Sequence, residues 1–376
     1  LCERGRRSLR GRSMEGVMPK IGFEQVIGQR LAVSHLQNAV RTGRVSQAYL
    51  ISGEKGAGKM KLALAFAAAL LCEQPKQENG GPEPCGECHS CVQIQAGSHP
   101  DVVLLTNERV GAATKTGTLG VALARFVQAD VSVKPYYGPY KIYIIPNAEN
   151  LNQQAQNALL KTLEEPPAYA VFLLLAQNTS VFLPTVLSRC VSIALHPAPE
   201  KDLVAALTAA GVPENEARIA ARLSHGNPGR CMELAEEELR QFREEQVLFL
   251  EKLAEADSHR ILQYAEKLSG GGKGDAPSHM EDFLDLGRSW YRDVLVQKST
   301  QDPENLIYRD QIQYIISAAA RLSFEDLENI QAAFDDAGRR RSSKENDTQI
   351  AELLMLKLRR ILRGDRNTES GFHGRI

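Results

Sequence analysis

The sequence predicts an α/β protein in its first half, a parallel sheet flanked by helices, and helices alone in its second half. Three observations carry this reading. Four short apolar runs alternate with amphipathic segments before residue 200, and a glycine-rich turn joins the first run to the first long amphipathic segment. Strand signals then stop at about Pro199, after which only helical periodicity remains. With 376 residues, the chain is long enough for two or three domains that each bury a core.

In chain order, residues 1–13 hold Arg4, Arg6, Arg7, Arg10 and Arg12 against a single acid, Glu3. The stretch has no apolar h-region, so it is not a signal peptide. Residues 1–17 are expected to be unfolded or an upstream extension, with translation starting at Met14 or Met18. Ala48–Ile51, Val102–Leu105, Ile142–Ile145 and Val171–Leu175 are β-rich or wholly apolar and bounded by turn or polar residues, the pattern of buried parallel strands. Between them, Lys59–Leu71 sets Leu62, Phe66, Ala69 and Leu70 on one helical side, and Gln153–Leu163 does the same with Ala155, Ala158, Leu159 and Thr162. Three short helices are expected at Glu200–Ala210, Glu214–Ser224 and Pro228–Glu238, the last with proline in the first helical position after Asn227. Helical periodicity continues beyond, broken by the glycine-rich loop 269–274 and ending in a polar tail from about Asp365. The expected domains are 18–195, 196–238 and 239–365, with 366–376 as tail.

Composition excludes some functions. No apolar run approaches the ~20 residues of a bilayer span, so no membrane role follows. The formal net charge is only −1, so nucleic-acid contact needs a local patch or an assembly rather than the whole surface. Seven cysteines without a secretory signal point to a reducing cytoplasm, where thiols stay free or bind metal.

Gly53-Glu54-Lys55-Gly56-Ala57-Gly58-Lys59 follows an apolar strand and opens a helix, the setting of a phosphate-binding loop. Glycines let backbone amides wrap an anion, the helix start adds its positive end, and Lys59 reaches the terminal phosphates. The next position is Met60, where a working loop carries Ser or Thr to hold magnesium. A thioether is a poor ligand for a hard cation that demands oxygen. The second magnesium ligand is expected at the end of the Ile142–Ile145 strand, which runs into Pro146-Asn147-Ala148 with neither aspartate nor glutamate; the turn is expected to aim Glu149 elsewhere. Two losses at distant positions point to a nucleotide fold that does not hydrolyse ATP.

Cys85, Cys88 and Cys91 have two residues between neighbours, and Cys72 stands at the end of the first helix. Four soft thiolates suit a closed tetrahedral zinc site in an insertion at 72–91 that has few apolar residues to hold it together. His89 is the poorer alternative for the fourth ligand. Cys2, Cys190 and Cys231 lie outside the set.

Several segments together resemble one family: Gln47–Gly53, the four-cysteine insertion, Gly97-Ser98-His99-Pro100-Asp101, Asn157–Pro167 (NALLKTLEEPP) and Leu187-Ser188-Arg189-Cys190. They are similar to the clamp-loader subunits of DNA polymerase III, from about Gly22 to Glu238, with Asn346–Arg359 resembling the closing helix of the collar. The resemblance implies an α/β P-loop AAA+ module with a zinc-binding insertion, a small helical lid domain and a C-terminal all-helical collar domain that joins subunits in a ring. Gamma/tau subunits of the family keep the magnesium ligands; at Met60, Pro146 and Asn147 this chain resembles the family's degenerate branch, which has lost them. The implied partners are gamma/tau and delta subunits and, through the complex, the sliding clamp and primer-template DNA. ATP binding through Gly53, Gly56, Gly58 and Lys59 stays open.

Two readings of Arg189 are open from the residues alone, a local ion pair or a charge offered to a neighbouring subunit's γ-phosphate. The resemblance selects the second, an arginine finger acting in trans from Ser188-Arg189-Cys190. It also marks Arg230, near the start of the lid helix, as the sensor arginine, and Gln177 or Asn178 as the first sensor's neighbourhood. Two other functions compete: an active ATPase of gamma/tau type using Glu149 or Glu164 for magnesium, and a stand-alone zinc-dependent nucleic-acid-binding protein.

Overall fold

The computed structural model describes residues 21–78, 81–106, 120–270 and 278–364. The expectations for 1–17, for the glycines of the loop beyond Gly270 and for the tail lie outside the described residues. The chain divides after Ala198 into two compact units.

The first unit holds α1 (Arg30–Thr42), β1 (Ala48–Ser52), α2 (Lys59–Leu71), β2 (Lys76–Glu78), β3 (Gly81–Glu83), α3 (His89–Gln95), β4 (Val102–Leu104), α4 (Val121–Asp130), β5 (Lys141–Ile145), α5 (Gln153–Glu164), β6 (Ala170–Ala176), α6 (Pro184–Leu187) and β7 (Val191–Ala194). Its main sheet runs β4-β5-β6-β1-β7, every neighbouring pair parallel. Side-chain alternation sorts the strands onto two cores. Tyr49, Ile51, Ile142, Ile144, Val171, Leu173 and Leu175 face one side, with Leu36 of α1 and Leu62 and Phe66 of α2. Ala48, Leu50, Tyr143, Ile145, Phe172 and Leu174 face the other, with Leu123 and Val127 of α4 and Leu159 of α5. Burial on both faces is why these strands read as continuous apolar runs.

The sequence reading did not include β7, whose burial alternates, nor the β2–β3 hairpin, whose antiparallel strands are three residues each. The loop Gly97–Asp101 is tied down by Asp101, fully buried, whose carboxylate accepts the backbone N–H groups of Tyr136 (2.6 Å), Tyr137 (2.8 Å) and Gly138 (3.4 Å). That bond set fixes the approach to β5.

The second unit is helical: α7 (Glu200–Ala209), α8 (Glu214–Leu223), α9 (Pro228–Leu234), α10 (Glu237–Glu251), α11 (Ser258–Leu268), α12 (Met280–Thr300), α13 (Ile312–Arg321), α14 (Phe324–Ser342) and α15 (Asp347–Leu362). The third expected short helix ends at Leu234, and α10 starts anew after Glu236. The boundary expected at 238/239 therefore falls in the first turn of α10. Ion pairs cross it: Arg243 of α10 with Glu216 of α8 (3.0 Å), and Arg230 of α9 with Asp282 of α12 (2.6 Å). Asn346 caps α15, its side chain accepting from Thr348 and Gln349, while Ser323 and Asp326 form a reciprocal capping box on α14.

Candidate functional site

The phosphate loop forms as its glycines require. Gly56 and Gly58 take φ of 87° and 97°, conformations that a side chain disfavours, and Lys59 starts α2 directly after them. The Lys59 ammonium donates back to the carbonyls of Gly53 (2.6 Å) and Glu54 (2.7 Å). Burial pulls its pKa down, while the charges of Glu149 and Glu54 work against that pull. Met60 packs its thioether against the sheet core.

At the end of β5 the chain passes Pro146, then Asn147 in the left-handed region (φ 51°), then a single 3-10 turn, Ala148–Asn150. Neither residue offers a carboxylate. Glu149 lies in this turn; its Oε2 is buried without a hydrogen-bond partner among the described residues, and its charge opposes the fall in the Lys59 pKa.

Arg189 follows α6 and is exposed. Its guanidinium pairs with Glu164 at the end of α5 (2.7 Å) and donates to the carbonyl of Thr185 (2.8 Å). Both partners of the ion pair are accessible, at 33% for Arg189 and 46% for Glu164. Ser188 is exposed beside it, and burial raises the Cys190 thiol to about 11.

The four predicted cysteines converge. The Sγ atoms of Cys72, Cys85, Cys88 and Cys91 all lie within 4.8 Å of one another, and Cys72 and Cys88 are 4.0 Å apart. A tetrahedral zinc tetrathiolate with ~2.3 Å bonds needs sulfurs about 3.8 Å apart, so the donor set fits. Backbone amides point at the sulfurs as well: Cys85 N–H at Cys72 (3.3 Å), and Cys88 N–H (3.2 Å) and Glu87 N–H (3.5 Å) at Cys85. Burial opposes ionisation of Cys85, but the amides of Glu87 and Cys88 and hydrogen bonds with the Cys72 and Cys88 thiols together outweigh it and bring the thiol down to about 7. Burial drives Cys91 the other way. His89 stays out of the cluster: its ring lies edge-on to Tyr137 and reaches Gln93.

With this geometry in view, similarity to known proteins becomes informative. A sequence profile described as "DNA polymerase III, delta subunit" matches residues 28–199. The delta′ subunit of DNA polymerase III from Bacillus subtilis (strain 168) is 30% identical over 325 residues, covering 86% of this chain and 94% of that protein. This chain belongs to the DNA polymerase III delta′ family. The Escherichia coli (strain K12) delta′ subunit is 37% identical over 205 residues, 54% of this chain and 59% of its own length. The tau subunit of B. subtilis is 39% identical over 168 residues, but the match spans 45% of this chain and 28% of tau.

The expected parallel α/β module with a glycine-rich strand-to-helix loop, a cysteine-cluster insertion and a helical C-terminal half is what the structure shows. Two of the three sensor candidates have local partners. Arg230 pairs with Asp282 (2.6 Å) and Glu233 (3.5 Å), while the exposed Asn178 accepts from Ser180. Sequence reasoning missed two buried carboxylates, Asp101 and Glu83. The Gly97–Asp101 segment was noticed only for its resemblance, and a charge beside three backbone amides leaves no signal in spacing.

Proposed function

We propose that this delta′-family chain is a non-hydrolysing stator of a DNA polymerase III clamp loader, which lends Arg189 to a neighbouring ATPase subunit while the sliding clamp is loaded on primed DNA. The observation that supports this best is chemical. The loop keeps its glycines and Lys59, yet the two positions that should present oxygen to magnesium hold the thioether of Met60 and the Pro146-Asn147 turn. Its partners in this reading are gamma/tau and delta subunits, with the clamp and primer-template DNA met through the complex, in the cytoplasm. Among the described residues no helix is long and apolar enough to cross a membrane. The cysteine cluster takes structural zinc, a closed set with no position left for a substrate. Nucleotide, if it binds, does so through the loop amides and Lys59 without a magnesium site.

One observation favours a hydrolytic alternative: the unpartnered buried oxygen of Glu149 near Lys59 is an oxygen donor in the right neighbourhood. ATP turnover by the purified chain with magnesium separates the two. The stator reading expects only background hydrolysis. Turnover abolished by Lys59→Ala and by Glu149→Gln would establish the alternative.

A further inference from the structure

Glu83 ends the hairpin that lies between the ligands Cys72 and Cys85, yet its carboxylate is spent on the body of the first unit. It is 4% exposed. Oε1 accepts the backbone N–H groups of Phe23 (2.5 Å) and Glu24 (3.3 Å), and Oε2 accepts from Gln37 Nε2 on α1 (3.2 Å). The contact is closed to backbone range on both sides. A methyl group at Gly22 would overlap Glu83 Oε1, and one at Gly81 would stand 2.7 Å from Gln37 Cβ.

A hairpin with strands of three residues does not hold its shape in water unaided. Here its two ends run into Cys72 and Cys85, so a metal on the cluster staples it. On the far side, the segment that Glu83 grips leads to Gln29, whose amide donates to the His196 carbonyl (2.5 Å) and accepts the His196 N–H (3.1 Å). Next to His196, Leu195 donates to Ser52 O (2.7 Å), and its side chain abuts Gly53, where the phosphate loop begins.

We propose that metal on the cysteine cluster fixes residues 22–29 through Glu83, making the insertion a clasp on a segment tied to the start of the phosphate loop. The clasp rests on the metal reading of the cluster, so metal content is measured separately from its effect. Losing the metal frees the hairpin, Glu83 leaves its pocket, and the amides of Phe23 and Glu24 lose a charged acceptor.

Amide hydrogen exchange of the full-length chain, read on peptides covering 22–29 with β6 as an internal control, tests this. Removing zinc with a chelator under reducing conditions is expected to speed exchange at 22–29 by about tenfold or more, the scale of hydrogen bonds to a charged group. Glu83→Ala should give the same acceleration while still holding zinc, and chelation of that variant should add little. Glu83→Gln should restore protection, because Gln37 turns its amide to accept from the new donor. Gly22→Ala, which crowds Glu83 Oε1 from the segment itself, gives a second route to the Glu83→Ala result. Protection at 22–29 that survives chelation, or acceleration by chelation and Glu83→Ala that multiply as independent effects, overturns the clasp. A chain that binds no zinc overturns the metal reading and the clasp together.

Discussion

Replacing Glu164 by alanine removes the carboxylate that Arg189 holds in the isolated chain, and the structure sets how much that should matter. The pair is short at 2.7 Å, but one third of Arg189 and nearly half of Glu164 remain in contact with solvent. Exposed ion pairs contribute about 0.2–1 kcal/mol, a factor of about five at most. The bond from Arg189 to the Thr185 carbonyl is independent of Glu164 and survives. An arginine finger is worth about 10³ or more in rate. Glu164→Ala is therefore expected to change steady-state ATP turnover of a reconstituted clamp loader by less than about fivefold, in either direction, while Arg189→Ala lowers it far more. A loss with Glu164→Ala as deep as with Arg189→Ala would refute this reasoning, since Glu164 would then be part of the reacting arrangement and not a resting partner.

Three further outcomes are expected. Cys88→Ser should reduce bound zinc from about one per chain to none, by metal analysis of purified protein; unchanged content would rule the cluster out as its site. Cys190, with its thiol raised to about 11, should have about one molecule in a thousand ionised at pH 8. Its alkylation, followed by peptide mapping, should then quicken about tenfold per pH unit up to pH 10, and rapid labelling at neutral pH would contradict the burial that raises it. Asp293 is fully buried and accepts the amides of Ile307 (2.6 Å) and Tyr308 (2.8 Å). Asp293→Ala should cost the second unit about 2–4 kcal/mol in urea unfolding, read by the buried Trp290 on the same helix; a loss below ~1 kcal/mol would mean the loop re-pairs elsewhere.

Much of the fold was legible because burial on both faces leaves a signature that local pattern captures. β5 and β6 read directly as apolar runs since every residue in each is buried. β7 did not, because Ser192 and Ala194 face solvent and break the run. The cysteine cluster was legible from spacing, since a short loop with two residues between thiols can close on one metal. Asp101 and Glu83 were not legible: each acts on backbone amides 35 to 60 positions away, and backbone donors carry no sequence identity. The direction of Glu149 was not legible, because a side chain after a proline turn is aimed by one left-handed residue, Asn147, that the sequence does not declare. For Arg189, residue type supplied both readings. The structure makes the local pair, with one third of Arg189 still exposed.

The most direct test sets the two cations of this chain against each other inside an assembly with a gamma/tau-type ATPase subunit. A stator that donates an arginine predicts that Lys59→Ala leaves clamp- and DNA-stimulated ATP turnover close to wild type, while Arg189→Ala collapses it. Turnover that depends on Lys59 and is indifferent to Arg189 would contradict it, for then this chain would be hydrolysing nucleotide in its own loop.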